Sequence, residues 1–211
     1  MQSPTASPSS LKHHLRVLNL IKLTDDILAF WFGKPEDEGY GGPREAWWQK
    51  DPAYDAEIRS RYLDHYRRAI AGELDAMAQT PKGALALILM LDQFPRNMFR
   101  GRPETYASDE KARKLAREAL DSGFDRCVPP IWRWFFYLPF EHSETLADQD
   151  LSVSLFEALP DIEGTEQTHS SSLRHQEIVA RFGRFPHRNE ILGRDSTPEE
   201  IEFLKEPNSS F

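Results

Sequence analysis

Thr80-Pro81-Lys82-Gly83-Ala84-Leu85-Ala86-Leu87-Ile88-Leu89-Met90-Leu91 is the stretch on which the fold turns. Thr80-Pro81 reads as an N-cap followed by proline at the first helical position, so a helix starts here. From Leu85 to Leu91 the apolar residues surround that helix instead of striping it, which demands burial on every side. Such a helix is the centre of a core, and its neighbours should be amphipathic. Upstream, Asp51-Pro52 repeats the start signal, and Tyr54, Ile58, Tyr62 and Tyr66 line one face of a helix ending near Gly72. Downstream, Ser108 is expected to cap a helix carrying Ala112, Leu115, Ala116, Ala119 and Leu120 at helical spacing, with Gly123 as its left-handed stop.

The remaining segments repeat the pattern. Residues 131–138 are dense in aromatics and should form a short buried helix stopped by Pro139, because no second strand candidate exists to pair with them. A helix over 146–159 would turn Ala147, Leu151, Leu155 and Ala158 inward. Residues 161–170 read as a polar loop, 172–182 as a helix stopped by Gly183, and Thr197-Pro198-Glu199-Glu200 as a capping box opening a last helix around Phe203. Short loops between amphipathic helices favour antiparallel neighbours, so the expected fold is all-α, one domain of stacked antiparallel helical hairpins. Residues 1–23 stand apart as an extension. Their Ser/Pro-rich start and lack of any acid before Asp25 fit a tail followed by one extra helix, and are compatible with a mitochondrial presequence. The domain proper is read as 24–211.

Composition excludes several classes. At 211 residues the chain can bury about 70% of its unfolded surface without covalent staples. The single Cys127 forms no intramolecular disulfide and no zinc motif, which fits a reducing, cytoplasmic compartment. A net charge of −8 disfavours nucleic acid as a partner. The longest apolar run, 84–91, is far short of the roughly 18 residues that cross a bilayer, so no membrane partner is expected.

The chemistry-bearing residues fall in three blocks. Asp92-Gln93-Phe94-Pro95-Arg96-Asn97 is echoed by Phe185-Pro186-His187-Arg188-Asn189, and each reads as the end of a helix closed by proline. Between them lies Leu138-Pro139-Phe140-Glu141-His142-Ser143-Glu144, continuing to Asp148-Gln149. Glu144 and Asp148, four apart, would repel one another on one helical face without a cation between them. Arg96, Arg181, Arg184 and Arg188 are the natural partners, since guanidinium presents paired donors to carboxylate. If every arginine is paired internally, the cluster is an ion network that docks the last helices. If one or two stay free, it is a pocket for an anion. Neither His142, His175 and His187 with the nearby acids nor Ser143 has the spacing of a metal or nucleophile motif, so no metal and no cofactor is expected. Trp47 and Trp48 cannot both face inward on a helix, and one of them could line a cavity.

These blocks, together with Asp26-Ile27-Leu28-Ala29-Phe30-Trp31-Phe32-Gly33 and Ile191-Leu192-Gly193-Arg194, resemble the bacterial and fungal DUF924 proteins, a family named for its unknown function. The resemblance implies a tetratricopeptide-like helical fold and no particular reaction. Where that family commonly carries Met before His-Ser-Glu, this chain has Glu141.

The expected function is therefore a small-molecule site for an anionic, carboxylate-bearing ligand, or a cofactor-independent enzyme. His142, His187 and Glu141 are the candidate catalytic residues. Trp47, Trp48, Asp92, Gln93, Arg96, Asn97, Glu144, Asp148, Gln149, His175, Arg184, Arg188 and Asn189 are the candidate binding residues. The alternative is a helical scaffold for a protein partner, with the cluster purely structural.

Overall fold

A computed structural model describes residues 8–210, in which eight α-helices and no strand occur. The Ser/Pro-rich start falls on residues 1–7, outside the described residues. Helix α1 (Pro8–Phe32) runs without interruption through the junction of extension and domain. It is followed by α2 (Pro52–Ile70), α3 (Pro81–Met98), α4 (Asp109–Asp121), α5 (Pro130–Glu141), α6 (Leu146–Glu157), α7 (Thr165–Phe182) and α8 (Pro198–Phe203).

Helix α3 is the axle of the domain. Every residue from Gly83 to Pro95 is buried, and α1, α2, α4 and α5 pack around it. Thr80 Oγ1 accepts from the Gly83 amide, as its N-cap position requires. Gly83 itself allows a close approach: a Cβ there would lie 2.1 Å from the carbonyl oxygen of Met77. From α2 to α7 each helix also packs on the next. A second, small core of Ile178, Val179, Phe185 and Phe203 joins α7 to α8. The chemistry lies at the seam between these two cores.

Five expectations are corrected. Pro95 does not close its helix, since α3 continues to Met98. Proline has no amide to give the Leu91 carbonyl one turn back, and Ser108 Oγ donates to that oxygen instead at 2.5 Å. Ser108 accordingly makes no side-chain cap for α4. Pro139 likewise sits inside α5, which ends at Glu141. In α6 Leu151 and Leu155 pack half-buried against the core as expected, but the fully buried face is Asp148, Gln149, Ser152 and Phe156, while Ala147 and Ala158 are exposed. Two of these three polar residues are bonded: Gln149 Nε2 donates to the carbonyls of Glu141 and Ser143, and Asp148 accepts from Ser143 Oγ.

The fifth correction is that residues 165–170 are helical, so α7 starts two turns earlier than its apolar pattern suggests. Thr165, Thr168 and Ser172 form its buried face there, and the hydroxyls of Thr168 and Ser172 donate to carbonyls of their own helix. By contrast, the capping box of α8 forms as read, with Thr197 Oγ1 and Glu200 bonded reciprocally.

Candidate functional site

The site is built from the C-terminal ends of α3 and α5, the middle of α7 and the 3₁₀ turn Pro186–Arg188, which together wall a cleft of about 570 Å³. Two carboxylates tie the three polar blocks to one another. Asp92 accepts from His142 Nδ1 at 2.7 Å and from Gln93 Nε2 at 2.7 Å, with Arg96 Nη1 3.4 Å away. Asp109 takes both Nη groups of Arg96, at 2.9 and 3.0 Å, and stands 3.8 Å from Nη1 of Arg188. His142, Arg96 and Arg188 are thus joined through Asp92 and Asp109.

Arg188 is the exception within this set. It is only 7% exposed, yet its Nε has no hydrogen-bond partner among the described residues, and its contact with Asp109 is too long for a hydrogen bond. The guanidinium is held by stacking, 4.5 Å from the ring centres of both Tyr106 and Phe185. Burial, and then the like charge of Arg96, lower its pKa. Arg96 is raised despite its own burial, because Asp109 and Asp92 favour its charged form.

The titratable groups of the cleft divide by environment. Burial opposes the charge on Asp92, but Arg96 and then His142 outweigh it, and the carboxylate stays ionised. Burial, and then Arg96, lower His142 against the pull of Asp92. A neutral His142 donating a hydrogen bond from Nδ1–H to Asp92 leaves Nε2 as an acceptor. Glu141 behaves in the opposite sense to Asp92. Burial pushes its carboxyl up to about 8, with a hydrogen bond from Ser171 opposing and the charge of Asp92 reinforcing. Its Oε1 accepts from Ser171 Oγ at 3.0 Å and lies 3.2 Å from His175 Nδ1, while Oε2 is buried without a hydrogen-bond partner among the described residues. His175 is lowered to about 3 by burial, and its Nδ1 lies 2.9 Å from the Ser171 carbonyl. His187 is lowered to about 4 by burial and then by Arg188.

The sequence-derived candidates separate accordingly. The cleft contains Trp47, Trp48, Gln93, Arg96, Asn97, Glu141, His142, His175, His187 and Arg188, with Asp92 beneath them as the acceptor for His142. Trp47 is anchored in the core by Nε1 donating to the Trp31 carbonyl, which leaves Trp48 outside and 53% exposed. Asn97 also reaches across to α2, where Nδ2 donates to Asp55. Asp148, Gln149, Glu144, Arg184 and Asn189 are elsewhere. Asp148 is bound by Arg113 and Arg117, and Glu144 by Arg194 and the Phe185 amide. Arg184 and Asn189 both donate to Glu200. Sequence reading missed Tyr106, Asp109 and Ser171. Asp109 shows there only as an acid in the first turn of α4, and Ser171 falls between the expected loop 161–170 and the expected helix 172–182, with no chemical signal.

Comparison with known proteins adds family and fold. Residues 27–208 match the family model described as bacterial protein of unknown function (DUF924). The solved structure of the protein of unknown function ATU0120 from Agrobacterium tumefaciens is 40% identical, with a TM-score of 0.77 over 88% of this chain and 98% of that one. No curated protein matches the chain.

Proposed function

For a chain that belongs to the DUF924 family, we propose a small-molecule site in which Arg188 takes the carboxylate of an anionic ligand and the His142–Asp92 pair exchanges a proton with it. The observation that carries this reading is the state of Arg188, a buried guanidinium at a cleft without hydrogen bonds to the described residues. Keeping such a cation out of water is costly unless something supplies the missing acceptors. A carboxylate does so with paired hydrogen bonds. His142 as base and a protonated Glu141 as acid form a pair whose environments push their proton affinities apart, the arrangement expected of cofactor-independent proton transfer. The stacking of consecutive helices fits the tetratricopeptide-like part of this reading, and the exposed thiol of Cys127 fits a cytoplasmic setting. No helix among the described residues is long and apolar enough to cross a membrane.

A thermal-shift screen of carboxylate metabolites tests it. A ligand at a hundredfold excess over its Kd adds about 2.7 kcal/mol, which raises Tm by about 5–10 °C in a chain of this size. The shift should vanish in Arg188→Gln. Shifts of equal size in both proteins, or none in the wild type, would remove the reading. A protein-binding role is the second reading, favoured by Leu15, Leu18 and Ile21, each about half exposed along α1.

A further inference from the structure

Beside the polar cleft lies a second cavity of about 360 Å³, and the two share the side chains of Trp48, Leu138, Glu141 and Ser171. Pro43, Trp134 and Gly164 supply most of its remaining apolar wall. Gly164 opens α7 at φ +85°, and a Cβ there would stand 2.7 Å from Cη2 of Trp134. The start of α7 is therefore pressed onto the indole, and no larger residue fits. The cavity is a product of how α5 and α7 meet.

Glu141 stands where the two cavities join. With its carboxyl pushed up to about 8 by burial, it is an uncharged acid at neutral pH. Such a group offers a donor and an acceptor without repelling an anion nearby. Its Oε2, buried and lacking a hydrogen bond to the described residues, is the atom left for a ligand. On one side of it lies the cation of Arg188, and on the other an apolar space with an indole at its mouth. Trp48 is 53% exposed, an unusual place for the largest apolar side chain unless a ligand covers it.

We infer that the two cavities receive the two ends of one amphiphilic carboxylate: an anionic head at Arg188, a polar centre against Glu141, and a flat aryl arm in the cavity walled by Trp48 and Trp134. This rests on the reading that Arg188 takes an anion, and adds the class of molecule. Neither a small inorganic anion nor a purely apolar compound would fill both compartments. Binding energy would come mainly from the arm, with orientation from the head.

Ligand-observed NMR titrations of the full chain with propanoate, 3-phenylpropanoate and neutral 3-phenylpropanamide test the inference. Burial of the ring should make 3-phenylpropanoate bind about 30-fold tighter than propanoate, and the amide should lose about tenfold. Gln167→Trp changes an exposed residue at the rim of the second cavity and places an indole over it. It should bring the ratio of the two acids close to one while leaving propanoate unchanged. Trp48→Ala, which removes a wall both cavities share, should reduce the ratio in the same direction. A wild-type ratio near one, with propanoate still lost in Arg188→Gln, would end the two-compartment inference and leave the anion reading intact. A ratio unaltered by Gln167→Trp and Trp48→Ala would do the same. Undiminished 3-phenylpropanoate binding in Arg188→Gln, or no binding of either acid to the wild type, would end both.

Discussion

Arg184 and Arg188 lie four residues apart in the segment that follows α7, and their surroundings differ completely. Arg184 gives Nε and Nη2 to the two oxygens of Glu200, at 2.7 and 2.8 Å, and Nη2 also reaches the Asp195 carbonyl. Glu200 additionally accepts from Asn189 and from the Thr197 amide, and Arg194 joins Glu144 to Asn189. These groups answer one another and hold α8 to the end of α7. Arg188 has two aromatic rings, each centred 4.5 Å away, and a carboxylate at 3.8 Å. The first network is closed and structural. The second is open, and an open set of buried donors is where a ligand can be recognised.

The largest effect should come from breaking the closed network. Glu200→Ala leaves Arg184 and Asn189 without their shared acceptor and removes half of the α8 capping box, at a cost of about 3 kcal/mol. Thermal unfolding should fall by about 6–12 °C, and a change below about 2 °C would show that the latch is not needed. Anion binding at Arg188 should survive at temperatures where the variant is folded. A loss of affinity there would erase the distinction between the two networks.

Next in size is a pH effect confined to the open network. Glu141 is raised from its ordinary value of 4.5 to about 8 in the fold. Between those values the folded protein holds a proton that the unfolded chain has lost, so rising pH favours unfolding. Glu141→Gln removes this dependence. The stability of the wild type minus that of Glu141→Gln should therefore decline from pH 4.5 to 8, by on the order of a few kcal/mol at most, and level off above. His175 and His187, lowered by burial, give slopes of opposite sign at lower pH. A flat difference curve would mean that Glu141 is solvated and ionised.

Much of this molecule is legible in its letters. The apolar girdle of α3, the stripe of α4 and the capping box of α8 are local patterns, and local patterns survive folding. The three polar blocks could also be named, because charged and amide groups at helix ends need partners. Which partner each one takes was not legible. Arg184 and Arg188 look alike until Glu200 and Tyr106 are placed beside them. The first turns of α7 were hidden because Thr165, Thr168 and Ser172 bury polar side chains whose hydroxyls are satisfied locally or by nearby carbonyls, contrary to the apolar rule used to find helices.

Arg188→Met separates stability from binding directly. A methionine beside Tyr106 and Phe185 removes a poorly compensated cation, so stability should hold or rise by about 1 kcal/mol or less, and Tm by no more than about 2–4 °C. Anion affinity should fall about 10- to 100-fold, the worth of a charged hydrogen-bond pair. A variant that melts several degrees lower would place Arg188 with Arg184, as a structural residue.

The smallest effect concerns the platform of the open site. Asp92 and Arg96 sit on the turn of α3 that contains Pro95, and that turn lacks one backbone bond. Ser108 Oγ supplies a substitute by donating to the Leu91 carbonyl at 2.5 Å. Ser108→Ala should cost about 1 kcal/mol through the unsatisfied buried carbonyl, read as a Tm decrease of about 2–4 °C. Pro95→Ala restores an amide that can make the ordinary helical bond to Leu91. In that background Ser108→Ala should cost close to nothing, so the two substitutions are coupled by about the full effect of the first. Equal costs in both backgrounds would mean that the serine acts through its contact with Tyr66 instead, and that the proline turn holds the site residues without help from α4.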